Sequence, residues 1–387
     1  MNSAPLRILH LNSRLTGGGT DDQCVKLAGE LHRLGQRVFI AGPAGRRFGP
    51  VIAELGVPFI DTGANSGQGE FIRRSAAFIR QEEVQIVHGH HGKDLWPTIL
   101  AARLSGTRPK IVLTRHMAKS PSSWASRHFL LGQCDVMIAV SDFVAKVLRE
   151  GAYEPQSPEE ERRARHPLRG DHGKIRVIPG GINVGKFVPM LATDKRRELG
   201  LQPDDYAFAV VGGFDLPRGK GQREFLQAAA RQYEEMPEAR FLIIGSGDMR
   251  DILTDDIKRL GLEGKAWLTG QVSDMPQVMN AIDCLVHPQI GTEALGLVVC
   301  EAHACGKPVI ASALDGIPEA FAAGNFGRLV PPEDVDELSR AMVAQFRAPK
   351  ADAAQAREMH RRVEQAFSLE RMGAETLRLY RELLTKG

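Results

Sequence analysis

Residues 7–41 read RILHLNSRLTGGGTDDQCVKLAGELHRLGQRVFIA. Arg7–Leu11 is an apolar run of strand length, followed by Gly17-Gly18-Gly19. Asp21–Leu34 places Val25, Leu27, Ala28, Leu31 and Leu34 at helical spacing, and Gly35 stops that helix. Arg37–Ala41 is the next strand. A strand, a glycine turn, a helix and a second strand make a β-α-β unit, in which the strands run parallel with a right-handed crossover.

The rhythm continues outward from this unit. Strands are predicted at Gln85–His88, Ile111–Thr114, Val136–Val140 and Ile175–Ile178. Helices are predicted at Leu95–Leu104, Ser122–Leu131 and Asp142–Leu148. Residues 151–173 interrupt the pattern with Pro155, Pro158, Pro167 and the run Glu159–Arg163, which predicts a charged surface loop. After the turn Pro179-Gly180-Gly181 a second alternation begins. Its strands are Phe208–Val211, Phe241–Ile244, Ala266–Leu268, Cys284–His287 and Pro308–Ala311, with helices near 221–236, 249–260, 275–281 and 297–305. Asp336–Phe346 and the segments from 351 to 384 read as helical. The fold class is therefore α/β, with two Rossmann-like domains whose parallel sheets face a central cleft, the default ligand site. The expected division is 1–188, 189–367, and a helix over 368–387 crossing back to the first domain.

Composition agrees. Of 387 residues, 43% are hydrophobic and 25% charged, which excludes a disordered chain, a collagen and a coiled coil. The longest uncharged apolar runs are strand-length, far short of the ~18 residues of a membrane helix. MNSAPLRILHLNS shows no signal-peptide pattern, so a cytoplasmic location is expected. The five cysteines are odd in number and never spaced CxxC, and read as small core residues in a reducing compartment. The net charge of +3 is uneven. Residues 1–188 carry 26 Lys and Arg against 17 Asp and Glu, a net +9 that leaves −6 for the remainder. A basic first half fits an anionic surface or a phosphorylated substrate, or ordinary surface variation.

Three motifs carry chemistry. Gly17-Gly18-Gly19 lets a backbone approach a diphosphate at a helix start, or simply makes a tight strand–helix turn. A dinucleotide fingerprint would need glycine at position 22, which is Asp22, and an acidic residue about 20 positions on, where strand two ends in Ala41-Gly42. An NAD-dependent oxidoreductase is disfavoured on both counts. Arg218-Gly219-Lys220-Gly221 sets two cations beside a helix start, as an anion site or as a solvated basic turn. Gly291–Ser312, GTEALGLVVCEAHACGKPVIAS, places Glu293 in a loop and Glu301 in the following helix. Carboxylates accept hydrogen bonds from sugar and ribose hydroxyls, and Ala294-Leu295-Gly296 offers backbone N–H groups. As bare spacing the two glutamates mean little. Asp334-Val335-Asp336 reads as a helix cap, not a metal motif. His88-Gly89-His90-His91 is expected to have no acidic or cysteine partner beside it and reads as a cleft-lining turn.

The 291–312 stretch resembles the E-x7-E segment of retaining nucleotide-sugar glycosyltransferases of the GT-B fold, glycosyltransferase family 4 (group 1). Val177–Phe187 (VIPGGINVGKF) is similar to that family's interdomain segment, and Phe241–Met249 (FLIIGSGDM) to its strand and glycine turn. Ser273-Asp274-Met275-Pro276, Asp315–Glu319 and the first glycine loop have counterparts.

The resemblance implies roles residue by residue. Glu293 would contact the donor sugar, with the Ala294, Leu295 and Gly296 amides near sugar and phosphate. Glu301 would hold the ribose, and Lys220 would grip the diphosphate. Gly18 and Gly19 would let the first domain close on that diphosphate, and His116 would approach the donor sugar. Val272 would read the base, with Gly245 and Gly247 lining its pocket. Two departures stand out. The family's arginine before Lys-Gly is missing from Gly212-Gly213-Phe214, with Arg218 as the candidate replacement, and Gly180 and Asn183 stand where the family has Asn and Asp. The implied activity is hexosyl transfer from a UDP-sugar, or GDP-mannose, to a saccharide or lipid-linked acceptor, with peripheral contact to an anionic inner leaflet. No metal, no other cofactor and no nucleic acid are expected. A nucleotide-sugar epimerase or hydrolase, and a non-catalytic nucleotide-binding relative, stay open.

Overall fold

A computed structural model of the chain describes residues 4–44, 47–63, 67–121, 123–151 and 166–385. Most of the expected loop 151–173, and Ser122 at an expected helix start, lie outside the described residues. The chain divides into two compact units. One comprises Met1–Gly181 with Leu369–Gly387, the other Ile182–Ser368.

Unit 1 is a parallel seven-stranded sheet built from β1 (Arg7–Leu11), β2 (Arg37–Gly42), β3 (Phe59–Asp61), β4 (Ile86–Gly89), β5 (Lys110–Arg115), β6 (Val136–Ala139) and β7 (Ile175–Val177). Its order is β3-β2-β1-β4-β5-β6-β7. β1 is paired on both sides, with His10 opposite Ile40 on one and His88 on the other. The helix Gly19–Arg33 packs Val25, Ala28 and Leu31 into a core with Ile8, Ile40 and Ile86. The last helix, Leu369–Thr385, joins the same core through Met372, Leu377, Leu379 and Tyr380. Among the described residues no helix is long and apolar enough to cross a membrane.

Unit 2 is a parallel six-stranded sheet of β8 (Tyr206–Val211), β9 (Ala239–Ile244), β10 (Ala266–Gly270), β11 (Cys284–His287), β12 (Val309–Ser312) and β13 (Gly327–Val330), ordered β10-β9-β8-β11-β12-β13. The two-residue strand period divides it cleanly. Ala207 and Ala209 face one core with Leu242 and Ile244, while Phe208 and Val210 face the other with Phe241 and Ile243. Both faces are covered, which is why these strands read as unbroken apolar runs.

In each unit the strand order reverses once, at β1/β4 and at β8/β11. Ligands of such sheets bind beyond the carboxyl ends of the strands at that point. The sequence reading missed β3 and β13, along with the helices Gly49–Glu54, Gln68–Gln81, Thr193–Glu198 and Ile317–Gly324. β3 and β13 are edge strands with one neighbour each, mostly half-buried or exposed, so no apolar run marks them. Gln68–Gln81 did carry a signal, since Phe71, Ser75, Ala76 and Ile79 share its buried face.

Candidate functional site

In unit 2 the loops after β8 and β11 bring Lys220 and Glu293 together. Lys220 Nζ lies 3.1 Å from Glu293 Oε2. The Lys220 N–H donates to Gln222 Oε1 at 2.7 Å, and the fully buried Gln222 donates through Nε2 to the Gly213 carbonyl at 3.3 Å. This ties the Gly213–Gln222 turn to the start of the helix Gln222–Gln232. Glu293 is fixed from the other side. Its N–H donates to Asp315 Oδ2 at 3.1 Å, and its carbonyl accepts from the Gly316 N–H at 3.2 Å.

Burial pushes the Glu293 carboxyl up, but Lys220, His287 and the Gly296 N–H together outweigh it and hold the group below its ordinary value. His287, the last residue of β11, is fully buried, and neither ring nitrogen has a partner among the described residues. Burial first, then Lys220, lower it to about 4, so it stands as a neutral imidazole beside an ion pair. The arrangement offers an ammonium for phosphate oxygens and a carboxylate for hydroxyls, both set before any ligand arrives.

The loop after β9 is locked to the loop after β8. Gly245 has φ +144°, and a Cβ there would lie 2.1 Å from the Gly212 carbonyl oxygen, so only glycine fits. At Gly247 a Cβ would meet Phe214 backbone atoms at 2.5 Å. The Phe214 N–H donates to the Ser246 carbonyl at 3.2 Å, and the Met249 N–H to the Phe214 carbonyl at 3.1 Å. Ala294 and Leu295 form the turn that leads into Gly296, the cap of the helix Leu297–Ala304, and Glu301 is a half-buried residue of that helix. Val272 follows β10 and packs half-buried on the core. Arg218 pairs with Glu333 at 3.7 Å, both half exposed, apart from the Lys220–Glu293 contact. Asp334 caps the helix Val335–Arg347 by accepting from the Glu337 N–H at 2.8 Å, and Asp336 pairs with Arg231, so both are committed as protein contacts.

In unit 1, Gly18 caps the helix Gly19–Arg33 at φ +96°, a conformation suited to glycine, with open space around both Gly18 and Gly19. Asp21 pins the loop, accepting from Asn12 Nδ2 at 2.9 Å and from the Gly17 N–H at 3.0 Å. His116 is partly open to solvent and lies in a chain of imidazoles. His10 Nδ1 is 2.8 Å from His90 Nε2, and His90 Nδ1 is 3.3 Å from His116 Nε2. His88 bonds Tyr380 Oη and Thr114 Oγ1, each at 2.6 Å. Burial, then Arg115, push His116 below its ordinary value.

One expectation needs correcting. The 88–91 run has no cysteine nearby in sequence, but the fold carries Cys24 to it on the helix Gly19–Arg33. One candidate ligand atom each from His10, Cys24 and His90 lies within 4.8 Å of the others. His287, His10 and Cys24 escaped the sequence reading as site residues. The signal for His287 was its place at the carboxyl end of a strand; for His10 and Cys24 only the packing of helix on sheet supplies it.

Two doubly wound α/β units, each with its loops gathered at a switch point, define the GT-B class of glycosyltransferase folds. The chain superposes along its whole length on a glycosyltransferase from Rickettsia africae, with a TM-score of 0.84, 22% identity and full coverage of both chains. Residues 205–347 match the family described as glycosyl transferases group 1, and residues 17–157 that described as glycosyltransferase family 4. The chain belongs to this family, glycosyltransferase family 4 (group 1). It is 31% identical over 217 residues to a GDP-mannose-dependent monoacylated alpha-(1-6)-phosphatidylinositol monomannoside mannosyltransferase of Corynebacterium glutamicum, covering 53% of this chain and 55% of that protein. It is 28% identical over 271 residues to a UDP-Gal:alpha-D-GlcNAc-diphosphoundecaprenol alpha-1,3-galactosyltransferase of Escherichia coli, covering 68% and 67%. With mannosyltransferase and inositol-phosphate glycosyltransferase relatives, the match spans about half of each relative's length or less.

Proposed function

We propose that this chain transfers a hexose from a nucleotide-sugar to a saccharide or lipid-linked acceptor, with retention at the anomeric carbon. A UDP-sugar is the favoured donor and GDP-mannose the nearest variant. The observation that carries the reading is the Lys220–Glu293 contact at the β8/β11 switch point. As the sugar–phosphate bond loosens, the leaving diphosphate gains negative charge, and a fixed cation beside it lowers the barrier. Lys220 supplies that cation, and Arg218 adds a weaker, solvent-screened charge. Glu293 accepts hydrogen bonds from the donor sugar and Glu301 from the ribose. The Ala294–Gly296 amides serve sugar and phosphate, while Val272, Gly245 and Gly247 serve the base. Gly18, Gly19 and His116 lie in unit 1 and keep the roles that the family resemblance implies. Asp334 caps a helix and Asp336 pairs with Arg231, which fits a reading in which the diphosphate is met by side-chain and backbone donors.

The relatives' names support the donor class, one naming GDP-mannose and the other UDP-Gal, and both supply a lipid-linked acceptor. The net +9 of residues 1–188, with the exposed Trp124 and Phe129 beside Arg127, supports contact with an anionic leaflet.

The first test is stabilisation by UDP, GDP and NAD⁺. A ligand at about 100 times its dissociation constant adds roughly 2.7 kcal/mol. A shift with UDP or GDP, followed by transfer of labelled hexose to extracted lipid or saccharide, is the expected result. Sugar release that needs no acceptor would instead select the hydrolase reading, and a shift with NAD⁺ alone would overturn the proposal.

A further inference from the structure

We propose that unit 1 binds one thiophilic divalent cation, zinc or a chemically similar ion, on His10, Cys24 and His90. This site is separate from the donor chemistry of unit 2 and does not rest on the proposed transfer reaction.

The geometry comes first. The three residues arrive on β1, on the helix Gly19–Arg33 and just after β4, all are buried, and one ligand atom from each lies within 4.8 Å of the other two. Two imidazole nitrogens and a thiolate are a donor set for zinc or another borderline-to-soft ion. His10 Nδ1 and His90 Nε2 are 2.8 Å apart. Nitrogens sharing a tetrahedral zinc at about 2.0–2.1 Å each stand roughly 3.3 Å apart, so a small widening admits an ion, the shared proton passing to the other nitrogen of its own ring.

Unsatisfied groups come second. His10 Nε2 is buried with no partner among the described residues. It is free to carry the ring proton when Nδ1 ligates. Asp94 is almost wholly buried. Its Oδ2 accepts from the Ser13 N–H at 2.8 Å, while its Oδ1 has no partner among the described residues. Asp21 and Asp94 both stand near enough to act on Cys24. Their negative field favours a cation at that sulfur.

The surroundings complete the site. His116, 3.3 Å from His90 Nδ1, can orient that ring from the outer shell. Arg115 is the opposing charge. It acts on His116, and its Nε–H donates to the Lys119 carbonyl at 2.6 Å. A cavity of about 20 Å³ lies on the far side of His90, lined by Gln23, Thr114 and His116 but otherwise mostly by apolar side chains, and His10 and Cys24 do not reach it. Binding replaces the thiol proton with the metal and releases one H⁺ to solvent, the sulfur keeping its electron pair. The bound ion would tie the helix that carries Gly18 and Gly19 to β1 and β4.

The full-length chain, stripped with a chelator, is titrated with Co²⁺ and then Zn²⁺. One equivalent per chain is expected, with a thiolate-to-cobalt absorption band that zinc bleaches and one proton released. Cys24→Ala and His10→Gln should each abolish the band and weaken zinc binding by at least about tenfold, the lower bound for loss of even an outer-shell partner. His128→Gln, an exposed histidine stacked on Trp124, should change neither. Absence of the cobalt band from the folded wild-type chain would overturn the proposal without recourse to any variant. So would a band that survives Cys24→Ala, which would assign the ion to another cysteine, or a zinc affinity that survives it, which would assign the ion to imidazoles elsewhere.

Discussion

At the β1/β4 switch point His10 and His88, near the strand ends, are continued by His90 and His116 just beyond the strands. At β8/β11 stand Lys220, Glu293 and the single imidazole His287. The two crevices are topologically alike, yet one is built of neutral rings linked to each other and the other of opposite charges held by backbone. The difference teaches that strand order fixes where a ligand can sit, while the side chains admitted there fix what it can be. A charged pair with open hydrogen-bonding capacity suits a diphosphate and hydroxyls. A ring-and-thiol cluster, poor in mobile charge, suits a soft cation.

Removing the cation breaks the contrast most severely. Lys220→Ala is expected to lower turnover at saturating donor by on the order of 10²–10³, the usual cost of losing one donor aimed at developing charge. Steady-state transfer rates measure it. An unchanged rate would take the charge-stabilising role away from unit 2 altogether.

The glycine loops of the two units make the second comparison. Gly245→Ala would force a Cβ to within 2.1 Å of the Gly212 carbonyl oxygen at φ +144°, and a loss of about 1–3 kcal/mol or more is expected. At Gly19 an added Cβ meets nothing within 4 Å, so Gly19→Ala should stay within about 0.5 kcal/mol of the parent. Urea unfolding of the two variants tests this directly. Equal losses would mean that the β8/β9 turns yield as easily as an open loop.

Next in size is the titration of His287. The unfolded imidazole protonates near its model value of 6.5, and the buried one only near 4. The unfolded chain therefore binds more protons between those values, and stability falls as pH drops through that window. At pH 5 the loss is about 2 kcal/mol. His287→Leu should reduce the difference in unit 2 stability between pH 7 and pH 5 by about that much, read by hydrogen exchange of the β8 and β11 amides. A pH dependence identical to wild type would place the acid sensitivity elsewhere, His303 being the other buried, lowered imidazole described in this unit.

How much of this could be read from the chain depended on whether the signal was local. Buried central strands announce themselves, and Cys284–His287 and the helix Leu95–Leu104 were delimited to the residue. Edge strands such as β13, with Gly327 and Arg328 exposed, do not. The Lys220 and Glu293 motifs were legible as motifs, but their contact spans 73 residues and exists only in the fold. The clamp of Asp315 on the Glu293 N–H and the approach of Cys24 to His10 and His90 have the same origin. Each joins segments that no spacing rule connects.

Arg218 gives the smallest expected effect and the finest test. By sequence it was the candidate to replace a missing family arginine, which would make the β8/β11 crevice a two-cation site. In the structure its guanidinium lies 3.7 Å from Glu333, with both side chains 53% exposed. An ion pair that open to solvent is worth about 0–1 kcal/mol and is screened by salt. Arg218→Ala should therefore reduce turnover by less than about fivefold, with the deficit shrinking as ionic strength rises. Parallel rate measurements at low and high salt, beside Lys220→Ala, separate the two cations. A salt-insensitive loss near 100-fold would show that Arg218 leaves Glu333 for the ligand during turnover. The crevice would then be defined by two cations rather than by one lysine balanced against one glutamate.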